Sequence, residues 1–86
     1  MDSKTTVYSV EEFDLALVEA VLEEVSLALK EKGYDPIKQI VGYLMSGDPG
    51  YISSHKEARK RITNLERNKI VEVLLKDYMN NNKWDT

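Results

Sequence analysis

Glu31-Lys32-Gly33-Tyr34-Asp35-Pro36-Ile37-Lys38-Gln39-Ile40-Val41-Gly42-Tyr43-Leu44-Met45-Ser46-Gly47-Asp48-Pro49-Gly50-Tyr51-Ile52 holds a helix stop, a helix start, a short helix and a corner in sequence. Lys30 and Lys32 suit the negative end of a preceding helix, and Gly33 takes the left-handed stop conformation. Asp35-Pro36 reads as N-cap and first helical residue, because proline fixes φ where no amide donor is needed. Ile37, Ile40, Val41 and Leu44 then form an apolar stripe at helical spacing. Gly42 in mid-helix costs up to about 1 kcal/mol relative to Ala. The reading favoured here is close approach by another backbone. Gly47 ends this helix, and Pro49-Gly50 suits the centre of a type II turn with positive φ at Gly50. The corner has no Gly-Lys-Ser/Thr and no preceding strand, so it is not a P-loop.

Upstream, Ser9 and Glu12 form a capping box, with Tyr8 and Phe13 placed as its hydrophobic staple. One stripe runs Val18, Val21, Leu22, Val25, Ala28, Leu29. Ala16, Ala20 and Leu27 lie on a second face, which suggests packing on two sides and a dimer interface. Downstream, Ser54 and Glu57 give another capping box, followed by Ala58, Ile62 and Leu65. The apolar phase slips between Asn64 and Asn68. It resumes as Ile70, Val71, Leu74, Leu75 and Tyr78, with Asn68 as a candidate cap. Trp84, in a polar C-terminal segment, is a surface aromatic or an anchor onto a neighbour. The expected fold is all-α, a small compact domain of 3–5 helices in an intertwined or closely packed homodimer. Residues 1–8 are expected as a flexible tail, 9–80 as one helical domain and 81–86 as a frayed end.

Composition narrows the function. The 86 residues carry 12 Lys+Arg and 15 Asp+Glu, for a net charge of −3, with 42% hydrophobic residues. That is one small globular domain. There is no cysteine and one histidine, His55. Disulfides, thiolate chemistry and Cys-based zinc sites fall away, and no cofactor is expected. No apolar run reaches the roughly 18 residues of a membrane helix, so membrane insertion is not expected. The polar start, Met1 to Thr6, lacks an apolar signal core, and the expected location is cytoplasmic.

Charge is uneven. Residues 1–35 hold nine acids against three bases, while Lys56, Arg59, Lys60, Arg61, Arg67 and Lys69 face only Glu57 and Glu66. The plain reading is a solvated face complementing the acidic one, within the chain or across a dimer. The sharper one is a small nucleic-acid-binding protein using the Lys56–Lys69 helix. A net acidic domain is poorly suited to it, since phosphate neutralisation supplies most duplex affinity. Glu11, Glu12, Glu19, Glu23 and Glu24 have helical spacing for paired carboxylates but read as a solvated face. His55 has no partner legible in the sequence. The hydroxyls of Ser3, Thr5, Thr6 and Ser9 cluster ahead of the first helix, where a phosphate adds about −1.5 to −2 charge.

The run from Glu31 to Ile52 resembles the signature of the IreB-like family of small bacterial regulatory phosphoproteins. The likeness continues through His55-Lys56-Glu57-Ala58-Arg59, through Leu65-Glu66-Arg67 and along the closing helix to Tyr78. The resemblance implies an all-helical homodimer with no catalysis. It implies an N-terminal tail phosphorylated by a transmembrane Ser/Thr protein kinase with extracellular PASTA repeats and dephosphorylated by a cognate phosphatase. It implies regulation of the cell-wall stress response, including cephalosporin tolerance, through an unknown downstream protein. The acceptor Thr lies three residues before an aromatic in the family, which selects Thr5, ahead of Tyr8, with Thr6 as its neighbour. A second family acceptor falls on Asp2, so two-site regulation does not carry over. Tyr8 stands where Phe is usual, and Gly50 replaces a common Ala. The motif residues Gly42, Ser46, Gly47, Asp48, Pro49, Tyr51, Arg59 and Arg67 are expected to form a docking surface.

Overall fold

In the computed structural model, residues 10–83 are described. Helix α1 (Val10–Glu31) is the longest element, followed by α2 (Pro36–Ser46), α3 (Ala58–Thr63) and α4 (Arg67–Asn81). Two short 3-10 turns, Pro49–Tyr51 and His55–Glu57, lie between α2 and α3. There is no strand among the described residues. At about 1.5 Å per residue α1 runs roughly 33 Å, and α2, α3 and α4 all pack against it. The Ser9 capping box, the Tyr8 staple and Trp84 lie outside the described residues.

The stop and restart after α1 form as the local chemistry dictates. Gly33 has φ 86°. Its amide donates to Lys30 O at 2.9 Å, and the Tyr34 amide donates to Leu29 O at 2.9 Å. These two bonds are the Schellman pattern, which satisfies carbonyls the helix leaves open. Asp35 Oδ1 accepts from the amides of Ile37 at 3.1 Å and Lys38 at 3.4 Å, which starts α2.

The core takes Val18, Val21, Val25, Ala28 and Leu29 from α1, with Leu22 and Leu15 partly buried beside them. This is the stripe expected of the first helix, and Ala16, Ala20 and Leu27 are exposed as its second face. Tyr43, Ile52, Ala58, Ile62, Ile70 and Val73 complete the core.

Two helices are rotated from the expected facing. In α2, Tyr43 is buried while Ile37 and Val41 are 75% and 51% exposed; only Ile40 and Leu44 of the expected stripe turn inward. In α4, Ile70 and Val73 are buried, while Val71, Leu74, Leu75 and Tyr78 face outward. Each helix has two apolar faces, and the position of α1 selects between them. The phase slip at Asn64–Asn68 is the break between α3 and α4. The N-cap position of α4 is Glu66, not Asn68, and its side chain makes no capping bond.

Two further local expectations are corrected. Gly50 does not have positive φ, so Pro49-Gly50 is not a type II turn. Asp48 Oδ1 accepts from the Gly50 amide at 2.8 Å and winds the segment into a 3-10 turn instead. The Ser54–Glu57 capping box does not form, since Ser54 is helical in φ and ψ and makes no side-chain cap. Ser53 Oγ accepts from the His55 amide at 3.0 Å in its place. Lys56 and Glu57 then take φ of 53° and 64°, a left-handed pair that costs roughly 1–2 kcal/mol per residue.

Candidate functional site

The motif residues come together in one corner between α2 and α3. Gly47, at φ 78°, closes α2, and its amide donates to Tyr43 O at 2.7 Å. Ser46 Oγ donates to Gly42 O at 2.7 Å and accepts from the Asp48 amide at 3.0 Å. The Tyr51 ring lies across Gly42, where a Cβ would sit 2.5 Å from two ring carbons. Gly42 is thus a site of close approach, but by an aromatic side chain and not by backbone. Gln39 Nε2 donates to Tyr51 O at 3.0 Å and ties the corner back to α2. Ile52, fully buried, anchors its end in the core.

Two arginines finish the corner. Arg59 Nε donates to Ile52 O at 2.9 Å and to Pro49 O at 3.2 Å. Arg67 Nη1 donates to Leu44 O at 3.1 Å, one of the carbonyls that the end of α2 leaves open. Its guanidinium covers Gly47, where a Cβ would meet its carbon at 2.7 Å. Gly47 therefore needs both positive φ and the missing side chain. The eight motif residues share one place, and their polar groups are largely spent on holding it rigid. The outer rims of Pro49 and Asp48 stay exposed.

The basic run is mostly matched within the chain. Arg61 pairs with Glu24 at 3.2 Å, Lys69 with Asp14 at 3.4 Å, and Lys56 with Glu31 at 3.1 Å. With Arg59 and Arg67 on carbonyls, Lys60 is the member of the six outside these contacts. This supports the plain reading of the charge asymmetry, α3 and α4 complementing the acidic face of α1. Exposed pairs of this kind each contribute about 0–1 kcal/mol, so they set register more than stability.

His55 has a partner that the sequence did not reveal. Its Nε2 lies 2.8 Å from Glu31 Oε1, and Lys56 Nζ donates to Glu31 Oε2 at 3.2 Å. The hydrogen bond from His55, then that from Lys56, holds the Glu31 carboxyl below its ordinary value of 4.5. A depressed carboxylate adds stability above its unfolded pKa and loses it as pH falls through the folded one. Glu31→Gln is therefore expected to lower the urea midpoint near pH 7, with the difference closing as pH falls below the ordinary Glu value of 4.5. Urea titrations of both proteins across that range check it; a gap unchanged by pH contradicts the Glu31 assignment.

A groove separates the start of α1 from α4. Glu11, Glu12, Asp14, Glu72 and Asp77 line it against Lys69 and Lys76, over the apolar surface of Leu15 and Val73. Lys76 Nζ bridges Glu72 at 3.3 Å and Glu11 at 3.4 Å. Its pKa is raised, first by Glu72 and then by Glu11.

Among the described residues no group of three or more His, Asp or Glu side chains is placed to hold a metal ion. No helix there is long and apolar enough to cross a membrane. Thr5 and Thr6 lie outside the described residues.

Fold and corner define a small all-helical scaffold with a rigid, motif-built projection. Residues 3–80 match the IreB regulatory phosphoprotein family, and the chain belongs to that family. The matched span includes Thr5, Thr6 and the whole corner.

Proposed function

We propose that this chain is a homodimeric, non-enzymatic switch of the cytoplasm, set by phosphate on Thr5 or its neighbour Thr6. A membrane Ser/Thr kinase of the PASTA type adds the phosphate and a cognate phosphatase removes it. The output modulates the response to cell-wall stress, including cephalosporin tolerance. The observation that carries this reading is membership of a regulatory phosphoprotein family over a span that includes the tail threonines.

The geometry supports the parts of the reading in different ways. The corner of Gly42, Ser46–Pro49, Tyr51, Arg59 and Arg67 is preorganised, so a downstream protein that docks on it meets a surface whose ordering cost is already met. Outward apolar side chains on α1, α2 and α4 support partner chains, since exposed apolar patches mark interaction surfaces. The nucleic-acid reading loses support, because five of the six basic residues it needs are engaged with α1 or with the corner.

A chromosomal Thr5→Ala allele tests the output. The expected result is a changed cephalosporin tolerance at an unchanged protein level. Wild-type tolerance from a Thr5→Ala, Thr6→Ala double variant would separate this chain from the stress response.

A further inference from the structure

Local sequence and fold disagree at Ser54–Glu57. These two residues have the spacing of a capping box, in which each side chain satisfies a backbone amide of the other. In the structure neither side chain makes a capping bond. Lys56 and Glu57 instead take φ of 53° and 64°. Two successive non-glycine residues in the left-handed region are rare, and such strain persists only where surrounding contacts impose it.

The imposing contact comes from the end of α1. Glu31 Oε2 accepts from Lys56 Nζ at 3.2 Å, and Glu31 Oε1 lies 2.8 Å from His55 Nε2. Backbone bonds close over the strained pair. The Ala58 amide donates to His55 O, and the Arg59 amide reaches back to Ser53 O at 3.1 Å. With α3 started in this direction, Arg59 Nε meets Ile52 O and Pro49 O and fastens the corner. A regular first turn pairs each amide with the carbonyl four residues back. It would hand the Ala58 amide to Ser54 O and the Arg59 amide to His55 O, with Ser54 and Glu57 placed to cap each other. The clamp that prevents this is reachable from outside, since the Glu31 and Lys56 side chains are 47% and 65% exposed. An exposed ion pair holds weakly. Against it stand two strained residues and an unmade cap.

We propose that residues 54–57 are a two-state element. Held by Glu31, they stay left-handed and Arg59 fastens the corner. Without Glu31 they wind into the first turn of α3, and Arg59 leaves Ile52 O and Pro49 O. A Lys or Arg side chain of a docking partner that captures the Glu31 carboxylate acts as its removal does, because it binds one form better than the other. The end of α1 is thereby coupled to the corner. The bearing on docking rests on the proposed role of the corner; the two-state element does not.

Nuclear Overhauser effects on the full-length chain test it. At the φ of Lys56 and Glu57 the amide and α hydrogens of each residue lie close together, so both are expected to give strong intraresidue signals. In Glu31→Ala these signals are expected to fall severalfold, and amide–amide signals to run unbroken from His55 to Arg59. The coupling across the Arg59 amide hydrogen bond should move from the Ser53 carbonyl to that of His55, and the Arg59 Nε hydrogen should exchange faster with solvent. Adding Glu57→Gly to Glu31→Ala should keep the left-handed pattern, because glycine takes it without strain. A wild-type pattern in Glu31→Ala overturns the proposal. So does loss of order across residues 54–57 without the new Arg59 bond. Urea unfolding gives a second reading. Glu57→Gly is expected to exceed Glu57→Ala by about fivefold in folding equilibrium constant, and equal stabilities would remove the strain on which the element depends. None of these readouts involves a partner, so they stand or fall apart from the docking role of the corner.

Discussion

Ile52→Ala is expected to cost about 2–5 kcal/mol of stability and to loosen the whole corner. Ile52 is fully buried and ends the 3-10 turn that begins at Pro49. Its loss leaves a cavity under the segment that Arg59 and Tyr51 hold from outside. A chain of 86 residues has roughly 4–13 kcal/mol in total, so the loss takes a large share. Urea unfolding at one fixed protein concentration measures it, because the stability of an associating chain, such as the proposed dimer, depends on concentration. Ile37→Ala is the matched control. Ile37 is 75% exposed, and its truncation is expected to fall within about 0.5 kcal/mol. Equal losses at both positions would mean that α2 packs by the face the sequence suggested, with Ile37 inward, and not by Tyr43.

The second large effect concerns assembly. For the homodimer proposed above, Leu75→Asp is expected to weaken association by at least about 2 kcal/mol, or roughly 30-fold in dissociation constant. Val71, Leu74, Leu75 and Tyr78 form an uncharged row on the side of α4 away from the core, 39–55% exposed. Half-packed side chains lose less freedom on association than fully exposed ones. The α2 row of Ile37, Val41 and Met45 is 51–81% exposed and borders the corner, a position suited to a different partner. Sedimentation equilibrium of wild type, Leu75→Asp and Val41→Asp distinguishes the faces. A dimer that survives Leu75→Asp and dissociates with Val41→Asp would move the interface to α2.

The sequence announced its breaks clearly and its facings poorly. Gly33, Asp35-Pro36 and Gly47 act through bonds to residues no more than five away, so their effect on the chain is local and legible. The stripe of α1 was legible because that helix packs its apolar positions against three others. Tyr43 and Val73 were missed because burial in α2 and α4 is set by where α1 lies, which no local pattern states. The same holds within the site. The motif marked Gly42, Gly47, Arg59 and Arg67 as a group. What they do depends on contacts such as Arg67 to Leu44 O, 23 residues apart, and Tyr51 over Gly42. The Glu31 bond to His55 spans 24 residues and had no signal in the sequence at all. Pro49-Gly50 was misread for a different reason. The Asp48 carboxylate beside it favours a 3-10 turn, and turn rules for the central pair alone do not include it.

Phosphosite mapping tests the central claim most directly. The purified protein is incubated with a PASTA-type kinase from its own source, beside Thr5→Ala and Thr6→Ala variants, and digested for mass spectrometry. The account predicts phosphate on Thr5 or Thr6 that disappears in the matching variant. An unmodified tail, with the kinase active on a control substrate in the same tube, would contradict it.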